Sequence, residues 1–249
     1  MSGHSKWSTI KHKKGRTDAK RAKVFTKIIR EMTVAARSGG GDPDSNPRLR
    51  TAINDAKMAN MPADNIKRAV QRGTGELPGI TYEEVNYEGY GPGGVAIMLE
   101  TLTDNRNRTT PEIRHMFSKA GGSLEKNGSV SWVFTRKGLI LVPRNDDLDE
   151  DTVMEHALEG GADDFDSEDV DFFRIFTAPD ELHQVKDYLE KNEIPVDAAQ
   201  FDMEPSTAVS LEGKTAGSLI RLLEAFEDHD DVQNLWANFD IDEEILETL

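Results

Sequence analysis

Apolar residues keep helical spacing as far as Gly73, and past a short linker they change to strand-like runs broken by turns. That change of period restricts the chain to an α+β fold led by a small all-helical segment. Phe25, Ile28, Ile29, Met32 and Ala36 fall within one arc about 100° wide on a helical wheel, so one helix face must be buried. Thr17 or Asp18 can cap this helix, and Gly39-Gly40-Gly41 ends it. Asn46-Pro47 opens a second helix, the cap side chain first and proline at the first helical position. Leu49, Ala52, Ile53 and Ala56 form its apolar face. A third helix starts at Pro62 with Asp64 in its first turn and Ile66, Ala69 and Val70 inward. Arg72 stands in its last turn, and Gly73 is the expected C-terminal cap.

After Thr74-Gly75-Glu76-Leu77-Pro78-Gly79, strands are expected over 82–87 and 94–101 around the turn Gly89-Tyr90-Gly91-Pro92-Gly93. A helix near 110–120 and a strand at 129–134 follow. Residues 138–204 then alternate as strand, helix, short strand, strand, helix, strand, the order of a ferredoxin-like split βαβ domain. The remaining strand at 208–211, helix at 215–228 and strand at 232–239 are too little for a domain of their own. They supply what the 80–134 segment lacks. The expected organisation is an arm (1–16), a three-helix basic domain (17–77), a split α+β domain (78–134 and 205–249) and an inserted ferredoxin-like domain (135–204).

Charge follows the same division. The net charge is −16, yet Met1–Gly75 holds 17 Lys/Arg against 6 Asp/Glu, and the remainder 13 against 40. A part at +11 on a body at −27 points to a polyanionic partner, above all nucleic acid, DNA or ribosomal RNA. Lys6, Lys11, Lys13, Lys14 and Arg16, with His12 and Trp7 among them, lack apolar periodicity and are expected to form a flexible arm. Lys20, Lys23, Lys27 and Arg30 line the polar side of the first helix and are expected to bind phosphate with it. The plainer alternative is a solvated helix face and a solubilising tail.

Arg106 and Arg108, in the polar segment Thr103–Thr109, could add a second phosphate contact. The competing reading is a turn with Thr109 or Thr110 as an ordinary helix N-cap. The glycine-dense stretch Gly89–Gly94 lacks the Gly-Lys-Ser/Thr ending of a phosphate loop and reads as a hairpin connection. The acidic run Asp163–Asp171 lacks the glycine and terminal glutamate of a calcium loop. With no cysteine and scattered histidines, neither a catalytic set, a metal site nor a cofactor site is expected. No apolar run of about 18 residues is present and the N-terminus lacks a secretory apolar stretch, so no membrane partner and a cytoplasmic location are expected.

The string Gly3-His4-Ser5-Lys6-Trp7-Ser8-Thr9-Ile10-Lys11-His12-Lys13-Lys14 resembles the YebC family, as do Phe25–Arg30, Asn46–Arg50 and Met61–Ile66. Tyr87–Gly94 and Thr103–Thr109 carry the likeness further, over nearly the whole chain. The resemblance implies three domains with the third inserted in the second, and a cytoplasmic bacterial protein labelled as a DNA-binding transcriptional regulator. It equally implies translation as a field of action, since mitochondrial relatives activate translation of cytochrome c oxidase and some bacterial ones look ribosome-associated. No catalytic residues come with it. The expected function is nucleic-acid-binding regulation of gene expression by a monomer. A ribosome- or rRNA-associated translation factor and a protein-interaction module are the alternatives.

Overall fold

The computed structural model describes residues 18–145 and 148–241. The chain forms two compact units: one runs to Ser131 and resumes at Ala208, and Trp132–Thr207 forms the other. The fold is α+β, with helices first and then two four-stranded antiparallel sheets and a short parallel pair.

The first unit begins with helices α1 (Asp18–Gly39), α2 (Pro47–Met58) and α3 (Ala63–Thr74). Met32, Ala35, Ala36, Leu49, Ala56 and Ala69 close their common core. Small residues dominate because the helices approach closely. A Cβ on Gly73 would stand 2.5 Å from the Thr33 carbonyl oxygen and 2.6 Å from the Ala36 Cβ. Gly73 is therefore a packing residue of α3. The cap expected there is one turn-end later, at Gly75, whose φ of 84° is the left-handed conformation that favours glycine. Asn46 caps α2 as expected, its side chain accepting the Leu49 N–H while donating to the Ala35 and Gly40 carbonyls.

Strands β1 (Glu83–Tyr90) and β2 (Ala96–Thr103) form a hairpin around a short 3₁₀ turn at Pro92–Gly94. Helix α4 (Arg106–Lys119) and the short β3 (Ser123–Leu124) follow. After the second unit come β8 (Val209–Ser210), α7 (Gly213–Asp228), β9 (Val232–Ala237) and β10 (Phe239–Asp240). The sheet order is β3-β1-β2-β9, so a strand from the end of the chain completes a sheet begun near residue 83. Helices α4 and α7 share its core, with Phe117 and Phe226 rings 4.8 Å apart between centroids. Glu88, buried on β1, accepts the N–H groups of Gly128, Val130 and Ser131 at 2.7–2.9 Å and fixes the loop leading out of this unit. Burial alone would raise its pKa, but these three donors hold it below the usual glutamate value.

The second unit contains β4 (Phe134–Pro143), α5 (Glu150–Gly160), β5 (Asp164–Asp166), β6 (Phe172–Thr177), α6 (Leu182–Lys191) and β7 (Ala198–Pro205). Its antiparallel order β5-β6-β4-β7 is that of a ferredoxin-like sheet. Ile140, Val142, Phe173 and Ile175 pack under α5 and α6. The strand expected at 129–134 is instead a 3₁₀ turn at Ser131–Val133, and β4 begins at Phe134.

The Gly73 packing yields a direct test. Gly73→Ala should destabilise the protein by roughly 1–3 kcal/mol through overpacking of α3 on α1, whereas Gly40→Ala, with open space around its Cβ position, should act only through its φ of +87°. Denaturant titration measures both. A neutral Gly73→Ala would show that α1 and α3 can separate without cost.

Candidate nucleic-acid interface

Lys6, Trp7, Lys11, His12, Lys13, Lys14 and Arg16 lie outside the described residues, as do the arm expected over 1–16 and the side chain of Lys20. The rest of the expected stripe is described, and the structure gives it a different role. Lys23 Nζ is 2.8 Å from Asp228 Oδ1 and 3.2 Å from the Asp228 carbonyl oxygen. Lys27 Nζ donates to the Glu227 carbonyl at 2.9 Å. Three residues on, Arg30 Nη1 faces Asp231 Oδ1 at 2.6 Å and the carbonyl oxygens of Asp230 at 2.8 Å and Leu102 at 3.0 Å. Positions 23, 27 and 30 share one face of α1 because three- and four-residue steps return to the same side of a helix. That face meets the C-terminal end of α7, where exposed carbonyls and the helix dipole favour cations. These three cations therefore bind within the chain, where the sequence pattern suggested a solvent-facing stripe.

Asp231 is the centre of this contact. Its side chain is 1% exposed, and Arg30 opposite it 13%. Asp231 Oδ2 accepts from Arg108 Nη2 and from Thr109 Oγ1, each at 2.6 Å. The Asp231 backbone completes the join, its carbonyl accepting the Leu102 N–H at 2.8 Å. Burial pushes the Asp231 pKa upward, but the bonds from Thr109, Arg108 and Arg30 outweigh it and bring the carboxyl down to about 2.

The segment Thr103–Thr109 is mostly helix. Asn105 caps α4, its side chain accepting the Arg108 N–H at 3.2 Å, so the cap expected at Thr109 or Thr110 lies a turn earlier. Thr109 is thereby carried inside, its hydroxyl 2.7 Å from that of Thr103 and bonded to Asp231. Arg108 also pairs with Asp104 at 3.0 Å, while Arg106 is exposed in the first turn of α4. The structure thus separates the two arginines: Arg108 clamps Asp231 and Arg106 faces solvent.

Glu112, His229 and Asp231 bring ligand atoms within 4.8 Å of one another. The geometry does not suit a metal ion. Asp231 already accepts from two guanidinium groups and a hydroxyl, and His229 Nδ1 accepts the Asp231 N–H at 3.1 Å. That contact sets the proton on Nε2, which faces Glu112 Oε2 at 3.1 Å. Asp231 and Thr109 were invisible in the sequence as site residues. An Asp among 46 acidic residues carries no signal, and Thr109 resembled a cap.

Residues 5–76 match the family model described as the TACO1/YebC protein N-terminal domain, and residues 82–239 match that of the TACO1/YebC second and third domain. The chain belongs to the TACO1/YebC family. A relative from Persephonella marina, named "Probable transcriptional regulatory protein", is 56% identical over 248 residues, covering 99% of each chain. One of the same name from Geobacter sulfurreducens is 53% identical over the full length of both. The crystal structure of a conserved hypothetical protein from Aquifex aeolicus is similar with a TM-score of 0.87. It is 52% identical and spans 95% of this chain and 97% of that one. No helix among the described residues is long and apolar enough to cross a membrane.

The Asp231 geometry sets a pH dependence. A carboxyl lowered from 3.8 to about 2 stabilises the fold fully above its ordinary pKa, and that stabilisation is lost as pH falls through the folded value. Asp231→Asn should cost roughly 3–5 kcal/mol at neutral pH, because the largely buried Arg30 guanidinium loses its counter-ion. Its stability should then change less than that of the wild type between about pH 5 and 2. Parallel acid-unfolding curves for the two proteins would contradict the assignment.

Proposed function

We propose that this protein is a regulator of gene expression that binds nucleic acid through its basic N-terminal quarter. The observation that carries the reading is the charge partition, +11 over Met1–Gly75 against −27 over the remainder. Phosphate neutralisation by clustered Lys and Arg releases counterions and supplies most non-specific affinity. The acidic remainder repels the same backbone and so orients the basic end toward it. The names of the relatives support the regulatory part of the reading. Lys6, Lys11, Lys13, Lys14 and Arg16 supply phosphate contacts, and Trp7 a surface on which an unpaired base can stack.

A salt series tests the reading. If roughly six phosphates are neutralised, log affinity for duplex DNA should fall with log salt at a slope near −5. Lys13→Glu combined with Lys14→Glu should weaken binding on all sequences alike, since phosphate contacts position without specifying. Loss confined to one sequence would contradict backbone binding. Tight binding to ribosomes beside weak, sequence-blind DNA binding would move the activity from transcription to translation.

A further inference from the structure

Lys23, Lys27 and Arg30 are occupied by the C-terminal end of α7 and the residues just after it, so these three cations of α1 are not offered to a phosphate backbone. The cations of α2 and α3 are placed differently. Arg50, Lys57, Lys67 and Arg68 are exposed, and none makes a side-chain hydrogen bond or ion pair with a described residue. On α2, Arg50 and Lys57 are seven residues apart and hence within about 20° on the helical wheel. They lie on the flank opposite Arg48, which is tied to Glu31 at 2.6 Å and Glu84 at 2.8 Å. On α3, Lys67 and Arg68 project away from the packing residues Ala69 and Gly73. The two helices are joined by the four residues Ala59–Pro62, with Met61 buried and Asn60 at φ 57°. Two short helices across a tight turn form a compact, rigid carrier for charge. Asp64 is the one acidic residue on the exposed side of α3, while Asp55 lies on the Arg48 side of α2.

Resting on the nucleic-acid reading above, we propose that α2 and α3 make the phosphate contacts of the described helices, through Arg50, Lys57, Lys67 and Arg68. Helix α1 then acts as the strut that holds this pair on the sheet. The ligand chemistry is a phosphodiester backbone, whether of duplex DNA or of structured RNA. The proposal moves the binding surface off the stripe that the sequence marks most strongly.

The test uses the full chain with labelled duplex DNA and a structured RNA hairpin, followed by fluorescence anisotropy from about 50 to 200 mM salt. Arg50→Glu/Lys57→Glu and Lys67→Glu/Arg68→Glu should each weaken binding at least about ten-fold and flatten the salt slope by about 2. Their melting temperatures should stay near wild type. Lys23→Gln/Lys27→Gln should instead lower the melting temperature and leave affinity within about two-fold. The arm with the steeper loss identifies the preferred nucleic acid. Loss of binding in the α1 variant, with wild-type binding in both others, would overturn the proposal. A wild-type chain that binds neither nucleic acid would remove the underlying reading as well.

Discussion

The carboxylate of Asp231 is the constraint on which the first unit depends. Three donors from two helices converge on it: Arg30 from α1, and Arg108 and Thr109 from α4. The residue itself stands one position before β9, the strand that closes the sheet from the far end of the chain. A buried ion pair is not in itself a source of large net stability, because desolvation offsets most of the attraction. Its force lies in the alternative. If α1 shifts, the largely buried Arg30 guanidinium loses its carboxylate, so displaced seatings of α1 on the sheet are disfavoured.

This dependence also explains the helix sequence. Helix α1 carries an apolar face for α2 and α3 and, beside it, three cations at helical spacing for the C-terminal end of α7 and the loop before β9. The outermost contact, Lys23 to Asp228, is solvent-exposed and weak, and the innermost is dry. Arg30 further lies 5.3 Å from the ring centroid of Tyr82, which brings the linker after α3 into the same assembly. The helical segment and the sheet are therefore built as one compact unit, although composition marks a linker between them.

The parts legible in the sequence were those fixed by local chemistry. Asn46-Pro47 announced the start of α2, the apolar arc from Phe25 to Ala36 announced the buried face of α1, and the element order of 138–204 announced the ferredoxin-like unit. Choices between equivalent local signals were not legible. Gly73 and Gly75 both suit a helix end, and only the approach of α1 decides that the first is packing and the second the cap. Asn105 and Thr109 are both good caps, and the position of Asp231 draws Thr109 inward. The fate of the α1 stripe was hidden for a related reason. Lys23 and Asp228 are 205 positions apart, and nothing local selects one acid among dozens.

The central claim is that Arg30 and Asp231 act as a coupled pair that seats α1. A double-mutant cycle with Arg30→Met and Asp231→Asn, followed by denaturant unfolding at neutral pH, tests it most directly. The account predicts that the double variant is more stable than the sum of the single losses implies, with a coupling on the order of 2 kcal/mol. Losses that add to within about 0.5 kcal/mol would contradict it, since they would mean that the two charges stabilise the protein independently.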